Sequence, residues 1–189
     1  MSTDPRHFDR LYADSPDPWH YETSGYEAEK YAACLALLPE GRFASGLEIG
    51  CSIGVLSAML AERCTRFLGL DVAAQAVERA RARDIPNAEF RVAHLPGDWP
   101  EGTFDLIVLS EVLYFFDADA LDRLARRVAE SLSPGGTVLM ASYLGETETE
   151  LDGAEAQAHF AGALARRRRA RPLGERRDPR YVAQVFELP

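Results

Sequence analysis

The stretch LEIGCSIG, residues 47–54, has the features of an apolar strand end, an acidic residue, a glycine turn and the start of a helix. Gly50 can adopt a positive φ and has no Cβ to block the approach of a ligand, so a nucleotide-like molecule can lie against the backbone at a helix N-terminus. A second interpretation stays open, in which Gly50 and Gly54 only let the helix pack closely on the strand.

A second apolar segment, FLGLDV at residues 67–72, ends in an acidic residue. Asp71 follows the glycine turn by about twenty residues, the spacing at which an acid binds a ribose hydroxyl in dinucleotide-binding folds. The glycine turn and Asp71 together predict a nucleoside site.

The composition is that of an ordinary globular protein, and the 189 residues predict one domain over residues 1–189. There is no signal-peptide pattern and no long apolar run, so we expect a cytoplasmic protein. A net charge of −9 argues against general binding to nucleic acids or anionic membranes. The arginine run at 166–171 is interpreted as a helix end and an edge strand, with a phosphate, an acidic carrier or RNA as the alternative partner.

The three cysteines, Cys34, Cys51 and Cys64, lie within apolar segments and show no CxxC spacing. Their odd number and spacing support neither a disulfide framework nor a metal site. We therefore expect small buried residues and no bound metal.

Apolar periodicity predicts alternating helices and strands, which implies βαβ crossovers and a parallel sheet covered on both faces. Helices are predicted at 7–12, 24–38, 55–63, 73–83, 119–132 and 153–167, and strands at 45–49, 66–71, 88–93, 104–110, 137–143 and 181–188. Asp119 is predicted to cap its helix, and SPGG at 133–136 to form a turn. In such sheets the ligand lies at the carboxyl ends of the strands.

Aromatic residues cluster ahead of the glycine strand, within residues 1–40. They are Trp19, His20, Tyr21, Tyr26 and Tyr31. They are predicted to form a flap over the site, although they could instead only plug the open side of the sheet. Tyr26 and Lys30 are four apart and share one helix face.

Residues 47–54, Asp71 and the segments FDLI at 104–107 and LSPGG at 132–136 resemble the motifs of class I S-adenosylmethionine-dependent methyltransferases. Within that class, three segments are similar to the NodS subgroup, whose members N-methylate the amino group of a deacetylated chitooligosaccharide. These segments are DPW at 17–19, YE at 26–27 and LSEVLY at 109–114.

The resemblance implies a Rossmann-like, doubly wound α/β fold. Its sheet is expected to be seven-stranded and mostly parallel, with helices on both faces and an antiparallel last strand. The implied cofactor is S-adenosyl-L-methionine. Its predicted contacts are Trp19, Tyr26, Lys30, Glu48, Gly50, Cys51, Ser52, Gly54, Asp71, Val72, His94, Leu95 and Ser110.

The sequence departs from the family pattern at two positions. Ser52 replaces the middle glycine, and His94 stands where an acid often binds the adenine amino group. Adenine would then be bound by backbone around His94 and Leu95, by Asp98, or by His94 itself.

For the chemistry, the candidate catalytic residues are Glu111, Tyr114 and His20, because an amine acceptor needs a group that orients it and accepts its proton. Each has a structural alternative: Glu111 as a cap or partner of the flap, Tyr114 as a core residue and His20 as an exposed polar side chain. Glu48 is predicted to orient the amino group of the cofactor, and Tyr26 or Lys30 to meet its carboxylate.

The predicted function is transfer of a methyl group from S-adenosylmethionine to an amine or hydroxyl of a small molecule, such as an aminosugar or oligosaccharide, in a monomer or dimer. One alternative is a non-catalytic, S-adenosylmethionine-binding regulatory or scaffold protein. A nicotinamide-dependent oxidoreductase is disfavoured, because Ser52 and Val55 stand where GxGxxG requires glycine. A nucleic-acid methyltransferase would depend on the arginine run.

Overall fold

The computed structural model describes residues 5–189, in which helices and strands alternate after two N-terminal helices. The helices are α1 (Pro5–Asp14), α2 (Gly25–Leu37), α3 (Val55–Glu62), α4 (Ala74–Arg81), α5 (Ala118–Ser131) and α6 (Gly153–Ala165), with a 3₁₀ turn at Leu113–Phe115. The strands are β1 (Phe43–Ile49), β2 (Cys64–Asp71), β3 (Ala88–Val92), β4 (Phe104–Ser110), β5 (Leu132–Tyr143), β6 (Arg171–Asp178) and β7 (Tyr181–Leu188).

All seven strands form one sheet in the order β3-β2-β1-β4-β5-β7-β6. Strands β1 to β5 pair in parallel, whereas β7 is antiparallel to both β5 and β6. The predicted fold is therefore confirmed, including the antiparallel last strand. The chain winds outward in opposite directions from β1 and β4, so their carboxyl ends border the crevice where such folds bind ligands.

The two largest apolar cores lie on opposite faces of the sheet. Helices α2 and α3 pack on one face, with Cys34 and Leu60 fully buried there. Helices α5 and α6 cover the other face, where Leu124 and Phe160 are buried against β4 and β5. Strand β4 contributes to both cores and is buried almost throughout, as its continuous apolar sequence predicts.

Two local predictions in the second half of the chain were wrong. Asp117, and not Asp119, caps α5: its side chain accepts a hydrogen bond from the Ala120 N–H at 2.8 Å, while Asp119 lies within the first turn. The SPGG segment does not precede the strand but lies within β5, as an irregularity between the pairs Phe104–Leu132 and Leu106–Thr137. Gly135 has a φ of +73° there, a conformation that suits glycine.

The arginine run at 166–171 spans the end of α6 and the beginning of β6. Arg168 donates hydrogen bonds to the carbonyls of Leu132 at 2.6 Å and Leu188 at 2.7 Å. Arg166 pairs with Asp122, and Arg171 with Glu187. This placement agrees with the interpretation as a helix end and an edge strand.

The three cysteines are buried free thiols. No helix among residues 5–189 is suited by length and apolar character to span a membrane.

Candidate active site

A cavity of about 970 Å³ opens at the carboxyl ends of the parallel strands. Its floor is formed by the residues that follow β1, β2 and β4. Its walls come from α1, α2 and residues 146–150. The cavity therefore lies at the reversal of strand order, where the sequence predicted a ligand.

Most of the residues predicted for the site line this cavity. Those that do are Trp19, Tyr26, Lys30, Glu48, Gly50, Cys51, Ser52, Asp71, Val72, Leu95, Ser110, Glu111 and Tyr114. The structure thus brings together residues from the predicted flap, the glycine turn and the ends of three strands.

Three predicted residues lie outside the cavity lining. His20 is exposed in a tight turn with a φ of +58°, and its carbonyl accepts the N–H groups of Thr23 and Ser24. Gly54 is the N-cap of α3, where an added Cβ would contact Ala80 at 3.1 Å. The exposed His94 donates its backbone N–H to Asp98 at 2.9 Å. These three residues are therefore not part of the cavity lining, and their roles in binding or catalysis stay predictions.

The glycine turn is fixed by backbone hydrogen bonds and by Asp71. Gly50 has a φ of +77°, and its N–H donates to the Leu70 carbonyl at 2.8 Å. The Asp71 carboxylate accepts the N–H groups of Ser52 at 2.8 Å and Ala73 at 2.9 Å. Burial raises the pKa of Asp71, and these backbone N–H groups partly oppose the effect. The acid is thus positioned by the turn that precedes it and by the residue that follows β2.

Glu48 is buried beneath the cavity at the end of β1, with 2% of its surface exposed. Its carboxyl group accepts a hydrogen bond from the Ser57 hydroxyl of α3. Burial raises the pKa of Glu48 to about 8, although the Ser57 hydrogen bond opposes the effect. The site therefore contains a carboxyl group that changes charge near neutral pH.

Glu111 makes three polar contacts in the cavity. Its Oε1 lies 2.7 Å from Lys30 Nζ, and its Oε2 accepts the Tyr114 hydroxyl and the Tyr143 N–H, each at 2.9 Å. Burial and the nearby Glu111 raise the pKa of Tyr114, so this hydroxyl stays protonated and acts as a donor. The carboxylate is therefore fixed by three donors from different parts of the chain.

Lys30 is 1% exposed and also contacts Glu27, with Nζ 3.0 and 2.8 Å from its two carboxylate oxygens. Burial lowers the pKa of Lys30, but Glu111 and Glu27 outweigh it, so the pKa lies above its ordinary value. Lys30 is accordingly a buried cation between two carboxylates. The i, i+3 spacing of Glu27 and Lys30 is visible in the sequence, but the contact with Glu111 is not.

Helix α1 supplies contacts that the sequence did not predict. The Tyr12 hydroxyl lies 2.5 Å from the Ser52 hydroxyl, and Phe8 packs edge-on against Phe115 with ring centroids 4.9 Å apart. The rings of Tyr12 and Trp19 are also in edge contact, at 5.7 Å. Helix α1 is thereby joined to the glycine turn, and the aromatic residues after it line the cavity.

The family model described as Nodulation protein S (NodS) matches residues 6–167 of this chain. Nodulation protein S of Bradyrhizobium diazoefficiens is 35% identical over 130 residues, which cover 67% of this chain and 62% of that protein. The matches span 55–62% of the lengths of the first three curated relatives.

Solved structures agree in fold. A Pseudomonas syringae protein with a solved crystal structure is 38% identical in sequence to this chain. The two structures match with a TM-score of 0.73, and the match covers 87% of this chain and 99% of that chain. The N-methyltransferase NodS from Bradyrhizobium japonicum, solved in complex with S-adenosyl-L-homocysteine, has a TM-score of 0.82 at 22% identity, covering 99% of this chain and all of that chain. With the family model matching most of its length, the chain belongs to the nodulation protein S (NodS) family.

Proposed function

We propose that this chain is an S-adenosylmethionine-dependent methyltransferase that methylates an amine or hydroxyl of a small molecule. Family membership supports the reaction class, and the cavity at the reversal of strand order supports a nucleoside-containing cofactor. At the finer level, we propose the amino group of an aminosugar or oligosaccharide as the acceptor. The similarity to NodS supports this choice.

The residues of the cavity suit S-adenosylmethionine. We propose that Asp71 binds the ribose hydroxyls, that Glu48 binds the amino group when ionised, and that Val72 and Leu95, which also line the cavity, contact adenine. The Ser110 hydroxyl is buried in the cavity lining and has no hydrogen-bond partner among residues 5–189, so it is available to a ligand. When bound, this cofactor supplies a sulfonium methyl group that a nucleophile displaces in line.

The single observation that carries the proposal is the Glu111 carboxylate, which lines the same cavity and is fixed by Lys30, Tyr114 and Tyr143. An amine acceptor must be neutral to act as a nucleophile, and a fixed carboxylate can accept its proton and orient its lone pair. Such orientation can supply several kcal/mol of the barrier.

The predicted flap spans residues 1–40, of which 1–4 lie outside the described residues. The described part, residues 5–40, is proposed to cover the cofactor and acceptor. Of this segment, α1 lines the cavity through Tyr12, the connection between α1 and α2 through Trp19, and α2 through Tyr26. Apolar rings over the site would exclude water from the reacting groups, which strengthens the electrostatic contacts beneath them.

The first experiment is calorimetric titration with S-adenosylhomocysteine, with NAD as the comparison ligand. The wild type is expected to bind S-adenosylhomocysteine alone, and Asp71→Asn to bind it at least about tenfold more weakly, because it loses a charge-assisted hydrogen bond. Asp105→Asn is the matched control: Asp105 also accepts two backbone N–H groups, from Ala44 at 2.8 Å and Ser45 at 3.1 Å, but at the opposite end of the sheet. Preference for NAD, or equal weakening in both variants, would contradict the proposal.

The second experiment measures methyl transfer from labelled S-adenosylmethionine to deacetylated and fully N-acetylated chitooligosaccharides. Only the deacetylated acceptors are expected to be methylated, and Glu111→Gln is expected to lower the rate about 10²-fold or more, the usual range for a lost acid–base group. Binding of the cofactor without transfer to any amine or hydroxyl acceptor would instead indicate the non-catalytic binding protein.

A further inference from the structure

Three charged side chains form a buried row. Glu27 and Lys30 lie on helix α2 in the cavity wall, and they lead to Glu111, the candidate base. Lys30 Nζ lies 2.7 Å from Glu111 Oε1, and 3.0 and 2.8 Å from the oxygens of Glu27. The residues Glu27 and Lys30 are 8% and 1% exposed, so water does little to screen them. The two carboxylates therefore share one cation.

The backbone of Glu111 adopts a conformation that is rare for a residue with a side chain. Its φ is +55°, in the left-handed region that side-chain-bearing residues rarely adopt. Its N–H donates to the Ala141 carbonyl at 2.9 Å, which fixes the residue at the end of β4. A non-glycine residue in this conformation is typical of functional sites, where the surrounding contacts determine the geometry.

The other titratable groups that face Glu111 are three tyrosines and the Cys34 thiol of α2, which burial keeps neutral by raising its pKa to about 12. Tyr21 and Tyr26 approach from the flap side, and Tyr114 from the 3₁₀ turn after β4. Burial raises the pKa of all three, so they stay neutral over the ordinary pH range. The charged neighbours of Glu111 in this row are thus Lys30, which is positive, and Glu27, which is negative.

We propose that Lys30 and Glu27 are positioning residues with opposite effects on Glu111. Lys30 fixes the carboxylate in its ionised form and aims it into the cavity, whereas Glu27 takes a share of the Lys30 charge and so keeps Glu111 basic enough to accept a proton. The proposal rests on the proposed function, and it assigns Lys30 to the candidate base rather than to the carboxylate of the cofactor.

The proton balance requires no further reactant. An acceptor that arrives as an ammonium ion loses one N–H proton to a Glu111 oxygen, and the electron pair of that bond becomes the lone pair of the neutral amine. Glu111 changes from −1 to neutral, and Lys30 keeps its three protons. The ion pair of Lys30 with Glu27 remains while Glu111 is neutral, so the cation is never left unpaired.

The test is a titration of the glutamate side-chain carboxyls by ¹³C NMR, with Glu111→Gln used to assign the Glu111 signal. We expect the titration midpoint of Glu111 to rise by about one pH unit or more in Lys30→Met, a tenfold change in proton affinity, and to fall in Glu27→Gln. Lys30→Arg is expected to restore a midpoint near that of the wild type. Opposite shifts would report the two charges themselves, since a general loosening of the packing would move the midpoint in the same direction in both variants.

Glu29→Gln is the matched control, because Glu29 is an exposed glutamate on the same helix, and it should leave the midpoint unchanged. Shifts in the same direction, or no shift in either variant, would overturn the proposal. If Lys30→Met fails to fold, Glu27→Gln alone decides, since an unchanged or raised midpoint in that variant is the contrary result.

The NMR titration and the ligand-binding experiment can fail independently of each other. A wild type that binds no S-adenosylhomocysteine would overturn the methyltransferase proposal whatever the NMR midpoints are. Binding of S-adenosylhomocysteine with unmoved midpoints would overturn only the roles of Lys30 and Glu27. With an acceptor in hand, the acid limb of kcat/KM should move in the same two directions, with the KM for S-adenosylmethionine unchanged.

Discussion

At the scale of single residues, the site combines buried acids whose surroundings differ. Glu48 accepts a hydrogen bond from the Ser57 hydroxyl, and its pKa is raised to about 8 by burial. Glu111 has a cation and two further donors. Because hydrogen bonds and cations favour the ionised form, the two glutamates are suited to different tasks.

Glu48 should make the stability of the folded protein depend on pH. Between its ordinary pKa of 4.5 and about 8, the native state binds a proton that the unfolded state lacks. The Glu48 contribution to the free energy of unfolding therefore falls as pH rises through this interval, by at most roughly 1.4 kcal/mol per pH unit. We expect Glu48→Gln to lose this dependence, so that its stability relative to the wild type increases from pH 5 to pH 8 in urea denaturation.

The control for Glu48 is Glu62→Gln, at an exposed glutamate that ends α3. Its stability relative to the wild type should change little over the same pH range. A Glu48→Gln profile parallel to that of the wild type would show that Glu48 is ionised in the native protein throughout.

Two neighbouring arginines of the run at 166–171 should contribute differently to stability. Arg168 donates to the carbonyls of Leu132 and Leu188, whereas Arg169 is exposed. Arg168→Ala is expected to lower the free energy of unfolding by about 1.5–3 kcal/mol, the range for hydrogen bonds from a charged group, and Arg169→Ala by less than about 0.5 kcal/mol. Chemical denaturation of the two variants checks this, and equal effects would contradict a structural role specific to Arg168.

At the scale of helices and strands, the sequence was informative where burial imposes a pattern. The continuous apolar run of β4 and the helical spacing of α3 predicted those elements closely. Strand β6, sequence RPLGERRD, was not placed by periodicity, because it is an edge strand that pairs only with β7 and is largely exposed. Its polar sequence carries no inward-facing alternation, so only its position in the sheet defines it.

In the site too, the sequence predicts local features but not contacts between residues far apart in the chain. The glycine turn and Asp71 are local features whose spacing indicates their place at strand ends. The contact between Lys30 and Glu111 joins residues 81 positions apart, and the contact between Tyr12 and Ser52 joins residues 40 apart. Such pairs follow from the packing of α1 and α2 over the sheet, which a single sequence does not encode as a pattern.

The two glycines of helix α6 lie in different surroundings, so their replacement by alanine should have opposite effects on stability. A Cβ added at Gly153, the first residue, would lie 1.9 Å from the Tyr143 carbonyl oxygen, which cannot move without displacing the end of β5. A Cβ at Gly162 would meet only Arg166 Nη1, at 3.7 Å. Gly153→Ala should destabilise the fold by about 1–3 kcal/mol through overpacking, whereas Gly162→Ala should stabilise it by up to about 1 kcal/mol through helix propensity.

The two α6 variants are matched in chemistry and differ in position, so their thermal midpoints should move in opposite directions. Because only residues 151–152 separate α6 from residues 146–150 of the cavity wall, Gly153→Ala is also expected to weaken binding of S-adenosylhomocysteine. Stabilisation by both substitutions would mean that α6 does not begin against the end of β5.

At the scale of the whole molecule, the cavity exists only when distant parts of the chain are assembled. Its lining combines α1, the ends of β1, β2 and β4, and residues 146–150. The unfolded chain contains no such site, so a ligand of the cavity binds the native state alone and stabilises the entire fold.

We therefore expect S-adenosylhomocysteine to raise the thermal midpoint of the wild type. At one hundred times the dissociation constant the stabilisation is about 2.7 kcal/mol, which for a chain of this size corresponds to roughly 5–10 °C. Asp71→Asn should lose about half of this rise or more at the same ligand concentration, since it binds at least about tenfold more weakly. Asp105→Asn should retain the rise, since Asp105 lies at the amino end of β4. A rise of equal size in wild type and Asp71→Asn would mean that the ligand binds elsewhere, because the Asp71 carboxylate lines the cavity.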